Sequence, residues 1–387
     1  MPSRKSDERG LLRRMAVVPN TGLASSALDS IPDRMLAAVY YGQNDMRLET
    51  VAVPRIAPGE LLVRIHTCGI CGTDLKKIST GSHSAPRIFG HEMAGVVVAR
   101  GAGVTSFAEG DRVMVFHHIP CGNCYYCERK VFSQCLTYKR VGTTAGFGEP
   151  SGGGFAEYVR VMDWIVEKGV IRIPDSVSYE QASHIEPVNT VWKGIETLAV
   201  QKGETVLVIG QGPIGLMLAK LAQRAGANVI TSDLFPQRLT IGERYGLTLS
   251  IDASQCDVVQ AVRERTEGRG ADAVILAVGG SSLIRPAIDA ARFGGRILLF
   301  AQTVRGEVVI DPASVCVDEK TLLGSYSSSV ELNDEVTQFV FSAEMDLAGL
   351  YSHRFPLAQS LEALRLAAHP QPDTMKIAIQ PCSVWEG

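Results

Sequence analysis

The chain has no apolar stretch long enough to span a bilayer, which excludes a membrane-crossing helix. It has no surplus of charge either. The formal net charge is −3 and no basic run carries interleaved aromatics, so neither a polyanion nor nucleic acid is expected as a partner. The first residues, MPSRKSDERGLLRRM, lack the apolar core of a secretory signal, and Asp7 and Glu8 count against a transit peptide despite the arginines. Internal repeats and low-complexity tracts are missing as well.

What is present points to a globular α/β protein. A length of 387 residues exceeds the size at which one core usually keeps growing, so two domains are expected. Hydrophobic residues at 45%, charged residues at 20% and 38 glycines fit that class rather than a fibrous or disordered one. Six of the nine cysteines fall in two short clusters, Cys68/Cys71 and Cys121/Cys124/Cys127/Cys135. In a chain of this size such spacing suggests metal ligands, whereas disulfide frameworks belong to small secreted domains. A reducing cytoplasm is the compartment that suits it.

Along the chain, residues 1–34 show no useful periodicity and are expected to form a disordered extension. Short strand-like runs follow at Leu36–Tyr40, Leu61–Ile65, Ala94–Ala99, Arg112–Phe116 and Ala156–Val161, punctuated by glycine and proline. They predict a small β-barrel domain over 35–188. From about Tyr179 the pattern becomes strand, turn, helix, strand. Strand Thr205–Ile209, helix Leu216–Ala225 and strand Val229–Ser232 lead into helix Asp257–Thr266, strand Ala273–Val278, helix Leu283–Arg292 and strand Arg296–Phe300. That alternation predicts a doubly wound parallel sheet over 189–325, with 326–387 returning to the first domain.

Three motifs carry chemistry. Gly210, Gly212 and Gly215 form G-x-G-x-x-G between a strand and a helix, with Pro213 and Ile214 opening the helix. The glycines permit a tight turn, a close pyrophosphate and a close helix. Asp233 ends the next strand, 18 residues beyond Gly215, where a carboxylate holds a ribose and repels a 2′-phosphate, so NAD is favoured over NADP. Arg238 could pair with a phosphate or pack over the adenine. Cys121, Cys124, Cys127 and Cys135, spaced C-x2-C-x2-C-x7-C, suit a closed tetrahedral zinc shell, with an iron–sulfur cluster or free thiols as alternatives. Cys71, His91 and Glu92 bring together the donor types of a catalytic zinc. Cys68 lacks the context of a redox pair and reads as a buried thiol.

The segments Gly69-Ile-Cys-Gly-Thr-Asp74 and Gly90-His-Glu92, the cysteine lobe and the glycine turn together resemble the zinc-dependent medium-chain dehydrogenase family, over about residues 35–380. The resemblance implies a GroES-like catalytic domain, a Rossmann coenzyme domain and an active site in the cleft between them. It makes Cys71 and His91 ligands of a catalytic zinc, with Glu92 as a ligand or exchangeable neighbour, beside a second, structural zinc. His-Ile-Glu186-Pro is similar to the sorbitol and threonine dehydrogenase branch, which makes Glu186 part of the metal shell; alternatively it serves its helix N-terminus. Thr73 matches the residue touching the substrate oxygen, and Asp74 the acceptor that orients His91. Lys76 stands where that branch carries a relay histidine, and is expected to be solvated, with water completing the relay. Val278, Ala301 and Ser325 are expected at strand ends under the nicotinamide. The implied reaction is reversible oxidation of a secondary alcohol, a polyol, sugar or cyclitol, to a ketone by a homotetramer or homodimer. L-Threonine 3-dehydrogenase is the alternative enzyme, and a non-catalytic nucleotide-binding regulator the alternative of another class.

Overall fold

The computed structural model describes residues 31–116, 119–137, 152–301 and 305–381. Most of the expected extension lies outside these residues. The described chain enters its first strand at Arg34–Gly42, pairs it antiparallel with Asp45–Ala52, and adds the short strand Arg87–Ile88 on the other edge.

A seven-stranded mixed sheet follows, in the order Tyr351–Pro356, Lys376–Gln380, Leu61–Gly69, Glu92–Arg100, Arg112–Val115 and Val170–Arg172, with Tyr158–Val161 also pairing Leu61–Gly69. Two of its strands come from the last part of the chain. The remaining sheet has six parallel strands in the spatial order Ser250–Asp252, Asn228–Asp233, Thr205–Ile209, Ala271–Leu276, Ala291–Leu299 and Thr321–Gly324. Its central strands are buried on both faces: Val206, Leu207, Val208, Val274, Ile275 and Leu276 have no exposed surface, as helices on both sides of a parallel sheet require. Strand order reverses direction between Thr205–Ile209 and Ala271–Leu276. Ligands of such sheets bind in the crevice at the carboxyl ends beside that switch.

Thr205–Ile209 forms as expected, and Asp257 caps the helix Val258–Arg265 by accepting from Gln260 N at 3.1 Å. One segment differs. The helix expected to reach Arg292 ends at Ala290, and the strand begins at Ala291; between the pairs Ala271↔Ala291 and Ala273↔Arg296 its register shifts by three residues. Gly294, at φ +65°, allows the bulge that absorbs the extra residues.

The helix Ile185–Leu198 runs from the metal-donor region toward the coenzyme sheet, ending on Ala199 at φ +52°. A Cβ on its Gly194 would come within 2.9 Å of the Phe300 ring, so glycine lets this helix lie close against the cleft wall.

Candidate active site

The register of one strand pair builds the donor cluster. Gly69 lies opposite Glu92 and Cys68 opposite Met93, so the residues just beyond, Cys71 and His91, meet at the same end of the ladder. Two glycines make the space. A Cβ on Gly90 would stand 2.6 Å from Phe155 and 2.8 Å from Cys68 Sγ, and one on Gly69 would collide with the Glu92 carboxylate. Cys71 then caps the helix Gly72–Thr80, and the Cys71 N–H donates to Asp74 Oδ2 at 3.2 Å.

Donor atoms of Cys71, His91 and Glu92 lie within 4.8 Å of one another. His91 Nδ1 donates to the fully buried Asp74 at 3.1 Å, which leaves Nε2 facing Cys71 and Thr73. The Thr73 hydroxyl lies 3.2 Å from Cys71 Sγ and 3.4 Å from His91 Nε2. Burial opposes charge on His91, yet Asp74 and Cys71 raise its pKa well above the ordinary histidine value. A field that favours a proton on this imidazole equally favours a metal cation beside it, so the donor set fits zinc.

Glu186 lines the same cleft from the first turn of its helix, outside the compact trio. Burial pushes its carboxyl up to about 7, with His91 pulling the other way. A divalent cation would supply the countercharge that burial denies it. Glu92 has a partner that local sequence did not suggest: Lys376 Nζ donates to Glu92 Oε1 at 2.6 Å across 284 positions. Burial works against the Lys376 ammonium, but Glu92 and Cys71 raise its pKa above the usual lysine value.

The cleft encloses about 400 Å³ and is lined on the coenzyme side by Ile214, Ala277, Gly279, Phe300, Ala301 and Ser325. Ala301 and Ser325, expected at strand ends, thus both line the cleft. Val278 does not line it; its side chain packs against Gly210 instead, 3.0 Å from where a Cβ would stand. A larger hollow of about 880 Å³, bounded by Lys220, Arg244 and Asp346, contains none of these donors. Lys76 does not line the cleft, whereas Lys77, buried and 5.4 Å from the Phe89 ring centre, does. Helix phase was the missed signal: Lys77 is four residues beyond Thr73 and so shares its face.

The loop after strand Thr321–Gly324 forms the facing wall. Asn189 holds it at both groups of Ser329, donating to the carbonyl at 3.0 Å and accepting from the N–H at 2.8 Å, while Lys193 Nζ donates to Tyr326 O at 2.8 Å. Asn189 was missed because nothing local marks its partner 140 positions away.

The glycine turn fits a dinucleotide. A Cβ on Gly215 would stand 1.8 Å from Gly210 O, and Gly210 itself adopts φ +94°. Gly212 meets only Arg238 Nη1, at 3.9 Å, which leaves open space over the turn. Pro213 opens the helix Pro213–Arg224, whose amides face that space. Asp233 accepts from Gln211 N at 2.7 Å and Phe235 N at 2.9 Å, with Arg238 Nη1 at 3.8 Å. Arg238 lies over the Phe235 ring and donates to Thr374 O at 3.4 Å. In the cysteine lobe, Cys124 and Cys127 Sγ are 3.5 Å apart, Cys135 and Cys121 3.5 Å, and Cys121 and Cys127 3.9 Å. Backbone N–H groups of Leu136 and Cys127 pull the Cys124 thiol down to about 6, whereas burial pushes the Cys127 thiol up to about 12, and a bound cation would be needed to hold it as a thiolate. Cys68 is a wholly buried thiol whose pKa burial raises.

A metal-donor cluster and a dinucleotide turn facing one cleft define a zinc-type oxidoreductase of two domains. Residues 57–175 match the family model described as alcohol dehydrogenase GroES-like domain, and 213–342 the one described as zinc-binding dehydrogenase. Sorbitol dehydrogenase of Bacillus subtilis (strain 168) is 28% identical, covering 91% of this chain and 99% of its own length. L-Threonine 3-dehydrogenase of Saccharopolyspora erythraea is 31% identical over 83% of this chain and 92% of its own. A Sinorhizobium meliloti 1021 crystal structure, described as a zinc-binding dehydrogenase bound to NADP, superposes with a TM-score of 0.81 at 27% identity, covering 90% of this chain and 100% of that one. The chain belongs to the zinc-dependent medium-chain alcohol dehydrogenase family.

Proposed function

We propose that this alcohol dehydrogenase oxidises a secondary alcohol, a polyol, sugar or cyclitol, to a ketone with NAD, reversibly. The observation that carries this is the convergence of Cys71, His91 and Glu92 within 4.8 Å in the cleft that also receives the ends of the coenzyme sheet. A zinc ion held there would supply the Lewis acidity that lowers the pKa of an alcohol, and a bound nicotinamide would supply the hydride acceptor. Cys71 and His91 would hold the metal, with Glu92 and Glu186 completing or exchanging in its shell. Asp74 acts through His91 as a positioning residue. Thr73 orients the substrate hydroxyl and passes its proton outward. Phe300, Ala301, Ser325 and the Asn189-held loop support the nicotinamide and exclude water. The cysteine lobe takes a second, structural zinc and no substrate.

Asp233 supports NAD. Its carboxylate is fixed at the strand end by two amides, where it would repel a 2′-phosphate, although the Sinorhizobium relative was solved with NADP. We place the domain boundaries at 35–188, 189–325 and 326–387, and the protein in a reducing cytoplasm that keeps its metal-binding thiols reduced. Among the described residues no helix is long and apolar enough to cross a membrane. The outer edge of Thr321–Gly324, with the exposed Phe293 and Val317 on the segments that meet where Gly294 N donates to Asp318 O, supports a homodimer or homotetramer.

NADH formation on polyols, cyclitols, simple alcohols and L-threonine tests this function. Turnover of polyhydroxylated secondary alcohols is expected, and exclusive turnover of threonine would establish the alternative. Bound zinc with no NADH formed from any alcohol would instead indicate a nucleotide-binding regulator.

A further inference from the structure

Resting on the dehydrogenase function above, the packing of one aromatic side chain gives the cysteine lobe a part in the active site. Phe132 opens the short turn Phe132–Gln134, and its carbonyl accepts from Cys135 N at 2.9 Å. On one side Phe132 packs against the four-cysteine cluster. On the other, together with Ser133, it faces Ser328, Val330 and Asn333 across a gap of only about 10 Å³, room for about one water molecule. Ser133, Ser328 and Ser329 are buried there, and Lys130 Nζ reaches Glu331 Oε1 at 2.8 Å beside them.

The far side of that contact is the wall of the cleft. Residues 325–327 line it, Asn189 fixes Ser329 at both backbone groups, and the Asn189 amide also donates to Asn333 Oδ1 at 2.9 Å. Ser327 adopts φ +61°, a left-handed conformation that a residue with a Cβ keeps only where its surroundings impose it. The position of this wall therefore depends on what stands behind it, and Phe132 stands there. Neighbouring Sγ atoms in the lobe are 3.5–3.9 Å apart, and a zinc ion among them would fix Cys135 and the turn that carries Phe132. The adenosine end is remote from this contact. Asp233 and the glycine turn sit at the ends of Asn228–Asp233 and Thr205–Ile209, whereas the wall follows Thr321–Gly324, the far edge of the same sheet. We propose that Phe132 is a positioning residue that transmits the order of the cysteine lobe to the cleft wall, so that the lobe sets how firmly the nicotinamide half of the coenzyme is held and leaves the adenosine half unaffected.

Titration calorimetry of the zinc-loaded enzyme with NADH and with ADP-ribose, which lacks the nicotinamide, separates the two halves. Wild type should bind NADH more tightly than ADP-ribose. In Phe132→Ala, with both zinc ions retained, NADH affinity should fall by about tenfold while that of ADP-ribose stays within about twofold, and Phe132→Leu should recover most of the loss. A general loss of packing would instead weaken both ligands together. Should Phe132→Ala shed the lobe zinc, Val330→Ala trims the same contact from the wall side, and a loss of about threefold for NADH alone is expected. Unchanged NADH affinity in the zinc-replete variant, a parallel loss of both ligands, or a wild type that holds ADP-ribose as tightly as NADH overturns the proposal and leaves the dehydrogenase intact. Wild type that binds neither ligand would overturn the dehydrogenase function and this proposal with it.

Discussion

The pairing of Glu92 with Lys376 places two opposite charges in the floor of the donor cluster, both essentially out of solvent. Removing one partner leaves the other buried and uncompensated, which costs about 3–5 kcal/mol. Lys376→Met should therefore unfold at markedly lower denaturant, and adding Glu92→Gln should recover a large part of the loss; a single variant as stable as wild type would contradict the pairing. Acid sensitivity belongs to this scale too. Burial, with Arg64 and Arg112 nearby, lowers the His66 pKa to about 4, and burial, with Lys77 and Arg87 nearby, lowers that of His83 to about 4. Both are depressed below their unfolded value of about 6.5, so the unfolded chain binds more protons between those limits. The stability contributed by these two histidines should be full above pH 6.5 and lost progressively toward pH 4. His66→Gln should flatten that slope in melting curves recorded across the range. Cys71, His91 and Glu92 were legible because their chemistry is local. Lys376 was not, since only the fold brings it across 284 positions, and Lys77 was overlooked in favour of Lys76 because relay position was read without helix phase.

Elements explain why some glycines resist substitution. At Gly215 a Cβ would stand 1.8 Å from Gly210 O, a backbone atom that moves only if the turn opens. Gly215→Ala should cost about 1–3 kcal/mol of stability and weaken NAD binding by more than tenfold, measured by chemical denaturation and fluorescence titration. Unchanged NAD affinity would remove the turn from the coenzyme site. The strand, turn and helix around this motif were readable because hydrophobic period and glycine spacing agree. The bulge at Arg292–Gly295 was not, because a run ending in Ala-Ala-Arg continues the helical pattern until Gly294 adopts a positive φ. The wall held by Asn189 was hidden for another reason: a buried amide bound to a distant backbone leaves no periodic trace.

At the scale of the whole molecule, the cleft exists because the helix Ile185–Leu198 carries Glu186 at one end and packs against Phe300 near the other. The sequence implied two domains, but not that the last strands, Tyr351–Pro356 and Lys376–Gln380, would supply the floor under Glu92. The outward edge at Thr321–Gly324 carries its own expectation: replacing Phe293 and Val317 with Asp should shift the light-scattering mass toward a monomer, and an unaffected oligomer would place the interface elsewhere. The most direct test of the metal-centred cleft is zinc per chain by elemental analysis in wild type and Cys71→Ser. Wild type should hold about two ions and the variant about one, retained by the cysteine lobe. A Cys71→Ser protein that keeps wild-type zinc would contradict the assignment of Cys71 and His91 as the catalytic metal site.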